Sequence, residues 1–244
     1  MNEQRFVFMG GMHRSGTTLL ASLVGTNPLV AGFRRTGAPM DEGQYLQTVC
    51  PYDEQHGGPG RFAYAPGAHM TEHDRLATPA TARLLREQWG RYLAPDRPVL
   101  LEKSPPNLLR FRFFRHLFPD ARFVLVTRHP VAVAMSTRKW TPALSVRQLV
   151  EHWLHAHDLV AADAAHLDGL LTVRYEDLMA DPAATLDTIA AFAGIPARFR
   201  VAELDRDANV RYLAAWRSGP AADDDLGDLA ARVGEHGYRL PAAA

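Results

Sequence analysis

Residues 6–20 read Phe-Val-Phe-Met-Gly-Gly-Met-His-Arg-Ser-Gly-Thr-Thr-Leu-Leu, and their reading decides the fold. Phe6 to Met9 are apolar and suit a short buried strand; Gly10 and Gly11 end it. From Thr17 the pattern turns helical, with Leu19, Leu20, Leu23 and Val24 on one face. Between strand and helix lies Gly11-x-x-x-x-Gly16-Thr17-Thr18, the spacing of a phosphate-binding loop with Thr17 at the usual lysine position. Its glycines let the backbone wrap an anion, its N–H groups point into the wrap, and the helix N-terminus adds positive potential. Arg14, inside the loop, supplies the cation that the lysine would have provided.

Outward from this stretch, strands alternate with helices. Strands are expected at Leu29–Phe33, Pro98–Leu101, Arg122–Thr127 and Leu170–Val173, and helices at 78–93, 108–117, 131–139, 145–164 and 183–193. A tail helix is expected around 209–216 and a last one near 224–233, beside an acidic stretch at 223–228. Such alternation implies right-handed crossovers and a mostly parallel sheet flanked by helices, a P-loop-type three-layer α/β fold. Arg14, Lys103, Arg128 and Tyr175 each follow the end of a predicted strand, where open α/β sheets form their ligand crevice. Three of the four are cationic, which suits a ligand with several phosphate or sulfate groups.

Residues 34–75 differ in kind, being rich in Gly, Pro and polar side chains, with a short helix expected at 43–49. A connection this long reads as a functional loop or lid. Within it His69 and His73 have helical spacing but no further ligand pattern, so solvated loop histidines are expected there.

Composition narrows the classes. Of 244 residues 47% are hydrophobic, and Lys plus Arg equals Asp plus Glu at 27 each, which argues against a general nucleic-acid binder. Cys50 is the single cysteine, which fits a reducing compartment, and a cytoplasmic location is expected. Neither a signal peptide nor a membrane-spanning run is expected.

These motifs together resemble the sulfotransferases that use 3′-phosphoadenosine-5′-phosphosulfate (PAPS), nearest the branch that includes the tyrosylprotein sulfotransferases. The resemblance rests on His13-Arg14-Ser15-Gly16-Thr17-Thr18, on Arg128 with Ser136 eight residues later, on Glu102-Lys103-Ser104-Pro105, and on Arg174-Tyr175-Glu176-Asp177-Leu178. It runs over about residues 5 to 195 and implies sulfuryl transfer to an acceptor hydroxyl by in-line displacement, leaving 3′,5′-diphosphoadenosine (PAP). By resemblance, Gly11, Met12, His13, Arg14, Ser15, Gly16, Thr17 and Thr18 hold the 5′-phosphosulfate, Arg128 and Ser136 the 3′-phosphate, and Tyr175 the adenine. Lys103 stabilises the transferring sulfuryl group or the leaving oxygen. No metal is required in this reading, because the bridging region carries less charge than that of ATP and no strand ends in a clear magnesium-binding Asp. The expected organisation is a single sulfotransferase domain over 1–244, with 34–75 as the acceptor-binding loop; partners reduce to a hydroxyl-bearing acceptor, the oligomeric state being open.

The base is the point of departure from that branch, since no acid precedes Asp41 and Glu42 in the interval after the first helix. Glu42 is named as base, with His13 and Asp41 as the other candidates; Asp41-Glu42 reads equally as the acidic first turn of a helix. Gly43 allows close backbone approach, and Gln44 and Gln47 are candidates to hold the acceptor. Two other classes stand beside this reading: a P-loop kinase or nucleotide hydrolase, which wants Lys at 17 and a metal-binding Asp, and a non-catalytic nucleotide-binding module.

Overall fold

The computed structural model describes residues 4–201, 203–219 and 225–240. Five parallel strands form one sheet: β1 (Arg5–Gly11), β2 (Val30–Gly32), β3 (Val99–Lys103), β4 (Arg122–Thr127) and β5 (Leu170–Arg174), in the order β2-β3-β1-β4-β5. The first strand is central, and the chain runs from it to opposite sides of the sheet, which opens a crevice at its C-terminal end. Register brings Met9 beside Lys103, Gly11 beside Val126 and Thr127 beside Arg174, so the functional strand ends lie along one rim.

Strand alternation divides the core. Phe6, Phe8 and Phe123 point to one face, where Trp89 of α2 (Pro79–Gly90), Phe114 of α3 (Phe111–Leu117), Val133 of α4 (Pro130–Thr137) and Trp153 of α5 (Val146–Asp163) cover them. Phe8 and Phe114 stack with ring centroids 4.2 Å apart. Val7, Met9, Val124 and Val126 point to the other face, under Leu20 of α1 (Thr17–Val24), Leu178 of α6 (Tyr175–Ala180) and Ile189 of α7 (Pro182–Ala193). Helices α8 (Ala208–Ser218) and α9 (Ala230–Glu235) follow.

Several expectations shift at their edges. The third strand continues to Lys103, which is therefore its last residue. The helix expected at 108–117 divides at Arg110 into a 3₁₀ turn, Pro105–Leu109, and α3, because two prolines open the first part and Arg110 leaves helical geometry. The last helix starts at 230, behind a 3₁₀ turn at 227–229; residues 223 and 224 of the expected acidic stretch lie outside the described residues.

The helix expected at 43–49 does not form. A 3₁₀ turn, Gly43–Tyr45, stands there instead, preceded by another at Pro39–Asp41. Met40 and Asp41 both take φ of 51°, so no helix runs through them into Gly43. The Gly43 carbonyl accepts from Leu46 N at 3.1 Å, the bond of a 3₁₀ turn, and also from Trp89 Nε1 at 2.9 Å. A side chain at Gly43 would run into Glu102 and lie 2.7 Å from Phe33, so glycine there lets the backbone pack against β3 and Phe33.

Candidate active site

The donor-side loop is tightly built. Ser15 N donates to Met12 O at 3.0 Å, Arg14 has φ of 68° and Gly16 φ of 102°. A Cβ on Gly16 would stand 2.7 Å from the Tyr175 ring, so both the backbone angle and the neighbour require glycine there. The left-handed turn at Arg14 projects its side chain forward: Nε donates to Ser136 Oγ at 2.8 Å, and the guanidinium lies 4.7 Å from the centre of the exposed Trp140 ring.

Arg128 follows β4 and is buried. Its Nη1 donates to Arg14 O at 2.9 Å and its Nε to Asn209 Oδ1 at 2.7 Å, while its guanidinium covers the Tyr175 ring at 4.0 Å. Nη2 is buried without a partner. Behind Asn209, Glu176 Oε1 accepts from Asn209 Nδ2 at 2.7 Å and from His129 N at 2.9 Å, and its Oε2 accepts from Tyr238 OH at 3.1 Å. The aim of Arg128 is thus set by α6, α8 and the segment after α9.

Ser136 stands near the end of α4, eight residues beyond Arg128, and bonds elsewhere. It accepts from Arg14 and donates to Tyr212 OH at 3.1 Å; no direct Arg128–Ser136 bond is found among the described residues. Tyr212 also accepts from Lys139 Nζ at 3.2 Å. Burial opposes ionisation of the Tyr212 phenol, but the hydrogen bonds of Ser136 and Lys139 and the Lys139 charge outweigh it and bring the pKa down to about 8.

Gly16, Thr17, Arg14, Arg128, Lys139, Tyr175, Arg211 and Tyr212 line one cleft of about 680 Å³, as do His13, Glu42 and Pro105. Lys103 Nζ donates to Glu42 Oε1 at 2.9 Å, Met40 O at 3.1 Å and Thr18 Oγ1 at 3.2 Å. Glu42 is 7% exposed, and burial pushes its carboxyl above the ordinary range against the opposing pull of Lys103 and Gln44. Next to it on β3, the wholly buried Glu102 is pushed up to about 7 by burial, against hydrogen bonds from Ser104 and Asn107.

The three candidate bases separate. Asp41 closes its own turn, accepting from Arg35 N at 3.0 Å and from Thr36 N and Oγ1 at 2.8 Å, so the Thr36 amide above all holds it below its usual value. His13 faces Asp53, with Nε2 2.6 Å from Oδ2, and its Nδ1 is buried without a partner. Burial alone would raise the Asp53 carboxyl; the His13 contact outweighs it and holds it at about 2. Glu42 lines the cleft, and burial raises its carboxyl toward greater basicity.

Gln44 and Gln47 do not face an acceptor. Gln44 Nε2 donates to Glu42 Oε2 at 2.7 Å, and its Oε1 accepts from Asp53 N at 3.0 Å. Gln47 is spent on the backbone of its own turn, at Gln44 O, Cys50 O, Val49 N and Cys50 N. His69 meets Asp163 at 2.7 Å, and His73 is exposed beside Glu72. No group of three or more metal-ligating side chains occurs among the described residues.

Asp53, Lys139, Asn209 and Tyr212 were not singled out as site residues, and Glu176 was quoted only as part of the motif around Tyr175. Lys139 stands three positions beyond Ser136 and carried a signal; Asp53, Asn209 and Tyr212 reach the site only through folding.

A parallel sheet of this order, with a glycine loop between its central strand and first helix and arginines at the rim, defines a P-loop-type α/β fold. The chain belongs to the sulfotransferase family, whose pattern it matches over residues 7–199. It is 27% identical over 202 residues to protein-tyrosine sulfotransferase 2 of Gallus gallus, covering 79% of this chain and 52% of that protein. With protein-tyrosine sulfotransferase 1 of Danio rerio it is again 27% identical, covering 80% of this chain and 54% of the other. The chain thus spans about half the length of the curated relatives it matches. Among solved structures, sulfotransferase STF9 of Mycobacterium avium superposes with a TM-score of 0.57 at 14% identity, over 100% of this chain and 79% of that one. The sulfotransferase domain from the curacin biosynthetic pathway does so with 0.58 at 15% identity, over 99% and 100%. These two likenesses concern the fold.

Proposed function

We propose that the protein transfers the sulfuryl group of PAPS to an acceptor hydroxyl. The observation that carries this reading is Arg128: a buried guanidinium held on two sides, with Nη2 unpartnered, lining a cleft that Glu42 also lines, with Lys103 bonded to Glu42. A 3′-phosphate would satisfy Nη2, and the loop Gly11–Thr18 would hold the 5′-phosphosulfate, with Arg14 and the orphaned, buried Ser15 hydroxyl as further donors. Tyr175 under Arg128 and Trp140 over Arg14 offer aromatic faces for adenine.

Bound there, the donor supplies a sulfur open to attack opposite the phosphate oxygen. The acceptor oxygen forms its bond to sulfur as the sulfur–oxygen bond to phosphate breaks. Glu42 takes the hydroxyl proton, and Lys103 faces the negative charge that builds up. Position and charge carry the rate, by analogy with phosphoryl transfer. The acceptor enters beneath the 34–75 segment; the names of the vertebrate relatives put a tyrosine-like phenol among the candidates, beside small-molecule and glycan hydroxyls. The reading treats 1–244 as one sulfotransferase domain. It asks for no metal, since Arg14, Lys103 and Arg128 already supply positive charge. Cys50, buried and free, supports a reducing compartment such as the cytoplasm. No helix among the described residues is long and apolar enough to cross a membrane.

Thermal-shift titration with PAP and with AMP tests the donor. PAP in saturating excess should stabilise the protein by about 2 to 4 kcal/mol more than AMP, following the linkage of binding to stability. Equal shifts would leave Arg128 without a ligand and overturn the reading.

A further inference from the structure

Gln44 is 3% exposed, and each end of its side-chain amide has a partner from a different part of the site. Its NH₂ group donates to Glu42 Oε2, and its carbonyl accepts from the backbone of Asp53, whose carboxylate meets His13 of the donor-side loop. Its own backbone N–H donates to Ser104 Oγ at 3.0 Å, beside Lys103. One amide therefore stands between the candidate base, the end of β3 and the loop at Gly11–Thr18. Since Gln44 holds Oε2 and Lys103 approaches Oε1, the Glu42 carboxylate has both oxygens fixed.

We propose that Gln44 is a positioning residue: it fixes the orientation of the Glu42 carboxylate and, through Asp53 and His13, ties that carboxylate to the donor-side loop. This rests on the reading of Glu42 as base. The physical consequence has a definite sign. A donor to a carboxylate favours its charged form, so removing that donor raises the pKa. The other charged or titratable groups around Glu42 are Lys103 and Glu102 on β3, His13 on the donor-side loop, and Tyr45 and Asp53 from the 34–75 segment. None of them is removed by a change at Gln44.

Gln44→Met keeps the length of the side chain and removes both hydrogen bonds. The Glu42 titration is read by difference infrared spectroscopy between each protein and its Glu42→Gln counterpart, with no turnover required. In Gln44→Met that titration should move up by about one pH unit, and the acid limb of the kcat profile should move with it, while PAP affinity stays within twofold. Gln44→Asn, which shortens the arm, should move it in the same direction and serves if the methionine variant fails to fold. An unmoved Glu42 titration in a folded variant would overturn the proposal, as would an activity loss uniform across pH. A shifted titration in a protein that, unaltered, transfers no sulfuryl group at any pH would uphold the positioning and overturn the activity.

Discussion

Lys103 Nζ lies 2.9 Å from Glu42 Oε1, and both side chains are buried, at 5% and 7% exposure. The pair joins the last residue of a sheet strand to a segment that belongs to no regular element. Its carboxylate lines the same cleft as Arg128. A buried ammonium beside a carboxylate with an elevated pKa suits a step in which a proton is taken up as negative charge appears nearby.

Glu42→Gln retains the shape of the side chain and an oxygen for Lys103, and it removes the proton acceptor. Turnover should fall roughly 10²- to 10⁴-fold with PAP binding unchanged. In the unaltered enzyme activity should be lost as pH falls through the elevated Glu42 pKa, since protonation occupies the base; a kcat profile over acid pH reads this. Near-normal turnover in the variant would point to His13 instead.

Arg14→Ala and Lys103→Ala should differ in kind. Arg14 is exposed and reaches the donor end through Ser136 and Trp140, so its loss should chiefly raise the donor KM. Lys103 faces the reacting end, so its loss should lower kcat more than it changes KM. Steady-state kinetics on both variants checks the contrast, and the reverse pattern would exchange their roles.

Tyr212 should make donor binding pH-dependent on the alkaline side. With a pKa of about 8, the phenol gains negative charge in the donor cleft as pH rises past that value. PAP affinity should therefore weaken above about pH 8 in the unaltered protein and stay level in Tyr212→Phe. Calorimetric titrations at pH 7 and pH 9 on both proteins make the comparison.

Asp53 should contribute stability through its depressed pKa. Its folded value, about 2, lies below the ordinary 3.8, so the contribution is present above about pH 4 and is lost as pH falls through about 2. Asp53→Asn should cost about 1 to 3 kcal/mol at pH 7, and the difference should shrink on approach to pH 2. Denaturant unfolding across that range reads it, and a pH-independent difference would assign the effect to packing.

The sheet was legible because strand and helix periods are local. Phe6–Met9 and Phe123–Val126 are continuous apolar runs of consecutive residues, and proximity to strand ends brought Arg14, Lys103, Arg128 and Tyr175 to one rim by topology alone. Their partners were not legible. Asp53 reaches His13 from 40 positions away, and Asn209 reaches Arg128 from 81. A short helix was expected at 43–49, but left-handed residues at Met40 and Asp41 precede it and the Gly43 carbonyl is shared between Leu46 N and Trp89 Nε1, and only a 3₁₀ turn forms. Likewise Gln44 and Gln47 carried an amide's capacity for either substrate or structure, and only packing spent both on the protein itself. By itself the sequence determined the strand–loop–helix order and the cations at the strand ends, because periodicity and spacing are properties of neighbouring residues. The tertiary structure decided which carboxylate is buried in the cleft and which side chains aim Arg128, because burial and hydrogen bonding depend on segments that meet only when the chain closes.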